Sequence, residues 1–369
     1  MKNTVKHIHR IAGVIAVAAI IVISMAGCLG MMDDGTQAQP QLRAGLYNKN
    51  SPTGSDTPLS ITSQLGANVI EKAMNYIGTS TGIYTLVLDE DITAANSINF
   101  NKNGVILTID SINTTERVIS KMGGITDGNA LFVVSNGATL TIIGHVTLEG
   151  KKSDASNSYQ NNQDAVVRVL GGTLNLRGNA KITGNMHDSA SSSRYGGGVY
   201  AKGDGAGSQA TIMMTGNAEI SNNSVYDGGG GVYLEEWANL TMNPNGTGTP
   251  KIFGNRVQGS SGAADTYGGG VYVGEDCIFT MNSGEIYGNR VENYDDNALG
   301  GGVYIADFAS AQFIVATNEA RDNIKNNIAE TTGTGTAIGN QVYKDTDGVF
   351  RVNSVDQGTP GTAEGFDNW

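Results

Sequence analysis

From Ile83 onward apolar and polar residues alternate in short runs: Ile83 to Leu88, Ser97 to Phe100, Val105 to Ile109 and Leu131 to Val134, separated by Asn, Gly and Ser. A period of two predicts half-buried β-strands joined by tight turns. The alternation continues through Gly137 to Ile142 and Val146 to Leu148, then settles into sets of three. Val199, Ile212-Met213-Met214 and Ile220 form one set, and Val232, Leu240-Thr241-Met242 and Ile252 the next. Val271, Phe279-Thr280-Met281 and Ile286, then Val303, Phe313-Ile314-Val315 and Ile324, follow. One stretch keeps a helical period instead: Leu65, Val69, Ile70, Ala73 and Ile77 share a face, predicting a helix over 62–77 capped by Thr62 or Ser63.

Two motifs keep step with these sets. Gly-Gly-Gly-Val-Tyr occurs at Gly196, Gly197, Gly198 to Tyr200, at Gly229, Gly230, Gly231 to Tyr233, at Gly268, Gly269, Gly270 to Tyr272, and at Gly300, Gly301, Gly302 to Tyr304. A degenerate fifth copy runs from Gly339 to Tyr343. Between them Ile-x-(Gly/Asn)-Asn ends at Asn185, Asn223, Asn255, Asn289 and Asn327. A repeat of this length marks a solenoid or propeller. Three short strands per repeat, each with one buried face, predict an all-β, single-stranded, right-handed parallel β-helix of the pectate-lyase-like kind, with eight or nine turns. The helix caps its N-terminal end. The β-helix is expected over 58–345, with 346–369 as a C-terminal cap or tail. Insertions at Asn243–Pro250, Gln258–Thr266 and Glu292–Ala298 are expected to grow as loops between the strands, and those leaving the corner after each motif asparagine, from Met186, Ser224, Arg256, Arg290 and Ile328 onward, to build one variable face.

The ends change the picture. Lys2, Lys6 and Arg10 precede an apolar run, Ile11 to Ile23, and Met25-Ala26-Gly27-Cys28 resembles a lipobox, so 1–27 reads as a lipoprotein signal peptide with Cys28 as the lipidated residue. The polar segment 28–57 reads as a flexible tether. Without the leader, 20 basic residues face 35 acidic ones, a net charge of −15. That balance excludes nucleic acid as a partner.

Candidate chemistry is sparse. Each glycine run leads into a β-type Val-Tyr pair with no helix and no Lys-Ser or Lys-Thr behind it, so it reads as a tight corner and not a phosphate cradle. The motif asparagines are expected to stack as an amide ladder. Tyr200, Tyr233, Tyr272, Tyr304 and Tyr343 are expected to stack as an outward stripe, which either binds the sheet together or holds sugar rings. An acid follows each tyrosine at Asp204, Glu236, Asp276, Asp307 and Asp345; in register these would form a solvated edge or a weak Ca2+ site, and no other cofactor is expected. No catalytic group is assigned. Cys277 is expected to be buried beside the strand Ile278 to Met281, and His145 and His187 fall in different coils.

From Val166 to Tyr343 the paired motifs resemble the Gly-Gly-Ala-(Ile/Leu/Val) and Phe-x-x-Asn repeats of the polymorphic outer-membrane proteins, and are similar to those of bacterial β-helix lipoproteins with Gly-Gly-Gly-Val-Tyr repeats. Ile replaces the Phe of that pattern. The resemblance implies a right-handed β-helix displayed at the cell envelope, with adhesion as its role. The expected function is therefore a lipid-anchored, non-catalytic binding or adhesive scaffold, on the periplasmic or surface face of the outer membrane. Its partners would be the membrane, through Cys28, and carbohydrate or a surface protein of a host or neighbouring cell. A polysaccharide lyase or hydrolase and a structural envelope spacer are the alternatives. Cys28→Ser is expected to abolish fatty-acid incorporation and retain the leader; metabolic labelling of the variant at the wild-type level would refute the lipobox.

Overall fold

Strands form where the alternation predicts them, and nearly all lie parallel to a strand one repeat away. The computed structural model describes residues 42–53, 55–121, 130–150, 164–186, 195–244, 248–259, 264–359 and 362–367. The leader, Cys28, the start of the tether, His187 and parts of the insertions at 243–250 and 258–266 lie outside the described residues. Leu42–Pro52 and Asp56–Trp369 form one unit. Of a second, Met1–Gln41 with Thr53–Ser55, only Thr53 and Ser55 are described, their hydroxyls 2.9 Å apart.

In each coil the chain visits three sheets in the same order, which makes the fold all-β and solenoid-like. The first sheet has eleven strands, of which the nine from Gly82–Leu88 to Val349–Val352 are parallel. The second has eight, from Ile92–Ala94 to Ile324–Lys325, and the third has nine, with parallel strands from Ile98–Phe100 to Val342–Lys344. Register is exact to the residue. Val199, Val232, Val271, Val303 and Val342 pair in series, as do Ile182, Ile220, Ile252, Ile286 and Ile324. All of these are buried in one continuous core that includes the stacked rings of Phe279, Phe313 and Phe350. Each buried aliphatic or aromatic side chain contributes about 1.5–3 kcal/mol, whereas an exposed ion pair contributes about 0–1, so the core dominates.

The two motifs build the corners. The third position of Ile-x-(Gly/Asn)-Asn is left-handed in every copy, at Gly184, Asn222, Gly254, Gly288 and Asn326, which explains why only Gly or Asn occurs there. The asparagine that follows is buried and fully bonded. Asn255 Nδ2 donates to Ile220 O at 2.9 Å and to Asn289 Oδ1 at 3.0 Å, while Asn255 Oδ1 accepts from Asn223 N and Asn223 Nδ2, both at 3.1 Å. The ladder continues through Asn327 and ends on Gln341 Oε1 at 2.9 Å. At the triple glycine the first residue is left-handed, and the other two have no room for a side chain. A Cβ on Gly270 would sit 2.5 Å from Gly302 O and 3.0 Å from Asn289 Nδ2.

Four features differ from the sequence reading. The helix spans Val69–Ile77, not 62–77, because Asn68 caps it: Asn68 Oδ1 accepts from Glu71 N at 3.0 Å, and Glu71 in turn accepts from Ala67 N. Part of the expected flexible tether is folded, since Gly45–Tyr47 pairs antiparallel with the first parallel strand, burying Leu46 and Tyr47 over its open edge. The described insertions carry two further parallel sheets. One comprises Ser224–Val225, Arg256–Gln258, Arg290–Asn293 and Ile328–Thr331; the other comprises Thr266–Tyr267, Ala298–Leu299 and Ala337–Ile338. Val225, Val257, Val291, Ala298 and Ala329 give them a small core of their own, so these residues pay for ordering by apolar burial. Finally, the solenoid does not stop at 345. Val349–Val352 adds another parallel level, and Val355–Asp356 and Glu364–Phe366 close the first and third sheets by antiparallel pairing.

Gly270→Val is expected to lower stability by about 1–3 kcal/mol, whereas Gly207→Ala, with nothing within 4 Å of its added Cβ, should stay within about 0.5 kcal/mol of wild type. Equal midpoints in denaturant unfolding would contradict this account of the corner.

Candidate functional site

The tyrosine column forms on the outer side of the third sheet, in register from Tyr200 to Tyr343. Its rings stack at centroid distances of 6.0, 4.2, 5.3 and 5.5 Å, all within 16° of parallel. The column is not an open platform. Tyr233, Tyr304 and Tyr343 are 4–8% exposed, and Tyr267, Leu299 and Ile338 of the insertion strands pack against Tyr304 and Tyr343. Tyr195 lies 4.5 Å from Tyr233 at the other end. Tyr200 Oη donates to Glu235 at 2.6 Å and Tyr304 Oη to Asp345 at 2.7 Å. Burial is the first cause that raises the phenol pKa values of Tyr200, Tyr233, Tyr267, Tyr272 and Tyr304, that of Tyr272 to about 12.

The acids beside the column are dispersed among local partners. Glu236 binds Lys202 at 3.1 Å, Asp307 Oδ1 accepts from Asp347 N at 2.7 Å, and Asp345 serves Tyr304. Asp204 is exposed, and the backbone N–H of Asp276 donates to Ser310 Oγ at 2.9 Å. Among the described residues no three His, Cys, Asp or Glu side chains come together as a metal site. Cys277 is fully buried, its Sγ 3.2 Å from Glu275 O, and burial pushes its thiol up to about 12.

A different face gathers polar groups that sequence reasoning left unassigned. The residue preceding each of the first four motif isoleucines points outward from the second sheet, and in register these are Lys181, Glu219, Lys251 and Glu285, alternating in sign coil by coil. Lys251 lies 3.6 Å from Glu285, and Lys181 3.7 Å from Glu116. At the turn entering this sheet, Asn217 Nδ2 donates to Asn179 Oδ1 at 3.1 Å, and Asn179 Nδ2 lies 2.8 Å from His145 Nε2. Thr249 N donates to Asn217 Oδ1 at 3.2 Å, which extends the chain of amides over four coils. Glu116, His145, Asn179, Lys181, Asn217, Glu219 and Lys251 together line a groove of about 330 Å³. His145 is thus not an isolated residue.

Alongside, the x position of Ile-x-(Gly/Asn)-Asn forms a second column in register, Thr183, Ser221, Phe253, Tyr287 and Lys325, of which Ser221 is buried. Phe253 and Tyr287 are half-buried and stacked at 5.0 Å, 2° from parallel. The signal was present in the sequence. The positions on either side of an invariantly inward isoleucine must face out, and here they spell Lys, Glu, Lys, Glu and then an aromatic pair.

Comparison with known proteins finds no matching family model, no matching curated protein and no matching solved structure.

The tyrosine column makes the fold sensitive to alkali. Unfolded phenols lose their protons near pH 10 and the buried ones only above it, so the folded state holds more protons in that interval. Stability is therefore complete below pH 10 and falls as pH rises beyond it. Tyrosinate absorbance should lag behind that of free tyrosine and then rise together with loss of the β-sheet circular dichroism signal; independent titration of all rings near pH 10, with the fold intact, would contradict the packing described.

Proposed function

We propose that the chain is a bacterial cell-envelope lipoprotein, anchored through lipid on Cys28, whose coils form a right-handed parallel β-helix acting as a rigid, non-catalytic binding scaffold. The Met25-Ala26-Gly27-Cys28 sequence supports the anchor, and the strong preference of parallel crossovers supports the handedness. The observation that carries the binding role is the groove on the outer face of the second sheet. Its amides are tied from coil to coil, so its side chains are ordered before any ligand arrives and little conformational entropy remains to be lost. The tyrosine column, by contrast, serves stability.

A second reading, a polysaccharide lyase or hydrolase, draws on the presence of His145, Glu116 and Glu219 in the same groove. The two separate cleanly. The scaffold reading expects detergent-phase partitioning of the native protein, protection or cleavage in intact cells according to the face on which it lies, and no release of reducing ends or unsaturated sugars from polysaccharide. Aqueous partitioning of the processed protein would overturn the anchor. Turnover that is lost in His145→Ala would establish the enzyme instead.

A further inference from the structure

We infer that the groove of the second sheet binds a neutral, extended glycan chain running along the coil axis. The inference rests on the binding-scaffold reading and names its ligand class. Its first support is charge. Lys181, Glu219, Lys251 and Glu285 alternate without net excess, so a polyanion would meet a carboxylate on every second coil and a polycation an ammonium. The chain as a whole carries −12, which adds to the rejection of polyanions.

The second support is hydrogen-bonding capacity. Ammonium groups only donate, carboxylates only accept, and the Asn179 and Asn217 amides do both. A hydroxyl also donates and accepts, so a sugar unit can be served at any coil, whichever sign that coil presents. The third is the half-buried pair Phe253 and Tyr287, on the strands that carry Lys251 and Glu285, which offers apolar ring surface to the C–H face of a pyranose beside the polar column. The fourth is repetition. Groove residues come from five successive coils, from Glu116 to Lys251, spaced at about 4.8 Å, so equivalent groups recur over roughly 20 Å along the axis. A polymer of short identical units matches that period; a compact small molecule would use only one or two coils.

The test is titration calorimetry of the full-length protein in detergent with cellotetraose, chitotetraose and tetragalacturonate. The expected result is binding of at least one neutral tetrasaccharide, at least tenfold tighter than tetragalacturonate, and weakened about tenfold by Tyr287→Ala or by Lys251→Gln. Thermal unfolding of each variant separates loss of the groove from loss of the fold, and Lys251→Gln leaves the core untouched. Tyr304→Phe, on the third sheet, should bind as wild type. Tighter binding of tetragalacturonate, equal binding by wild type and both of these variants, or no binding of either neutral probe would overturn the inference. A protein that remains lipid-anchored yet binds neither neutral probe refutes the glycan alone, whereas loss of the anchor in cells refutes the envelope reading independently of any sugar.

Discussion

The structure depends on how closely one coil can lie on the next at the corner after the asparagine motif. There a backbone carbonyl, such as Gly302 O, occupies the volume that a side chain on the preceding coil would need, at Gly270. Parallel strands pair in register only when the corners between them are equally tight, so the glycines hold the spacing at which the buried amides can bond to one another. The asparagine ladder and the glycine corner are thus one device. Asn255 donates to Asn289 and lies within 3 Å of the space a Cβ on Gly231 would fill.

That constraint divides labour among the residues. Inward positions are spent on the apolar core, and buried polar positions on an amide ladder whose donors and acceptors are satisfied, as burial demands. Individuality is left to the outward positions. On the third sheet these are tyrosines roofed by insertion strands, which turns a potential contact surface into a small second core. The Arg256–Glu292 and Arg290–Glu330 ion pairs link successive insertion strands, but they sit at the surface and contribute little beside the burial of Val257 and Val291. On the second sheet the outward Lys181, Glu219 and Lys251 line a groove, so the second and third sheets carry different duties on the same repeat.

Much of this was legible in the sequence, since strict spacing of Gly-Gly-Gly-Val-Tyr and Ile-x-(Gly/Asn)-Asn specifies which residues share a column. The strands, the amide ladder, the buried Cys277 and the stacking of the tyrosines all follow from alternation. What alternation could not reveal is what lies over an outward column. Tyr304 points away from the core as expected and is nonetheless buried, because Tyr267 and Leu299 come from insertions whose short apolar pairs carry no clear period. The folded tether was hidden for the same reason: Gly45–Tyr47 is three residues long and is ordered only by the edge it covers. The groove was missed because its residues lie in five repeats and look unremarkable in any one of them.

The degenerate fifth motif, Gly339-Asn340-Gln341, shows where such a chain can lengthen. Its first glycine is still left-handed, but the second and third have acquired side chains, which is permissible only because no further coil stacks there. Those side chains finish what the glycines left open: Gln341 terminates the amide ladder and Asn340 accepts from Ala329 N at 2.8 Å. Duplication of an internal coil therefore inherits a stackable corner on both sides, whereas duplication of the last coil would bury Asn340 and Gln341 against a carbonyl. The last coil is thus a terminus by construction: two side chains stand where the carbonyls of a further coil would have to lie.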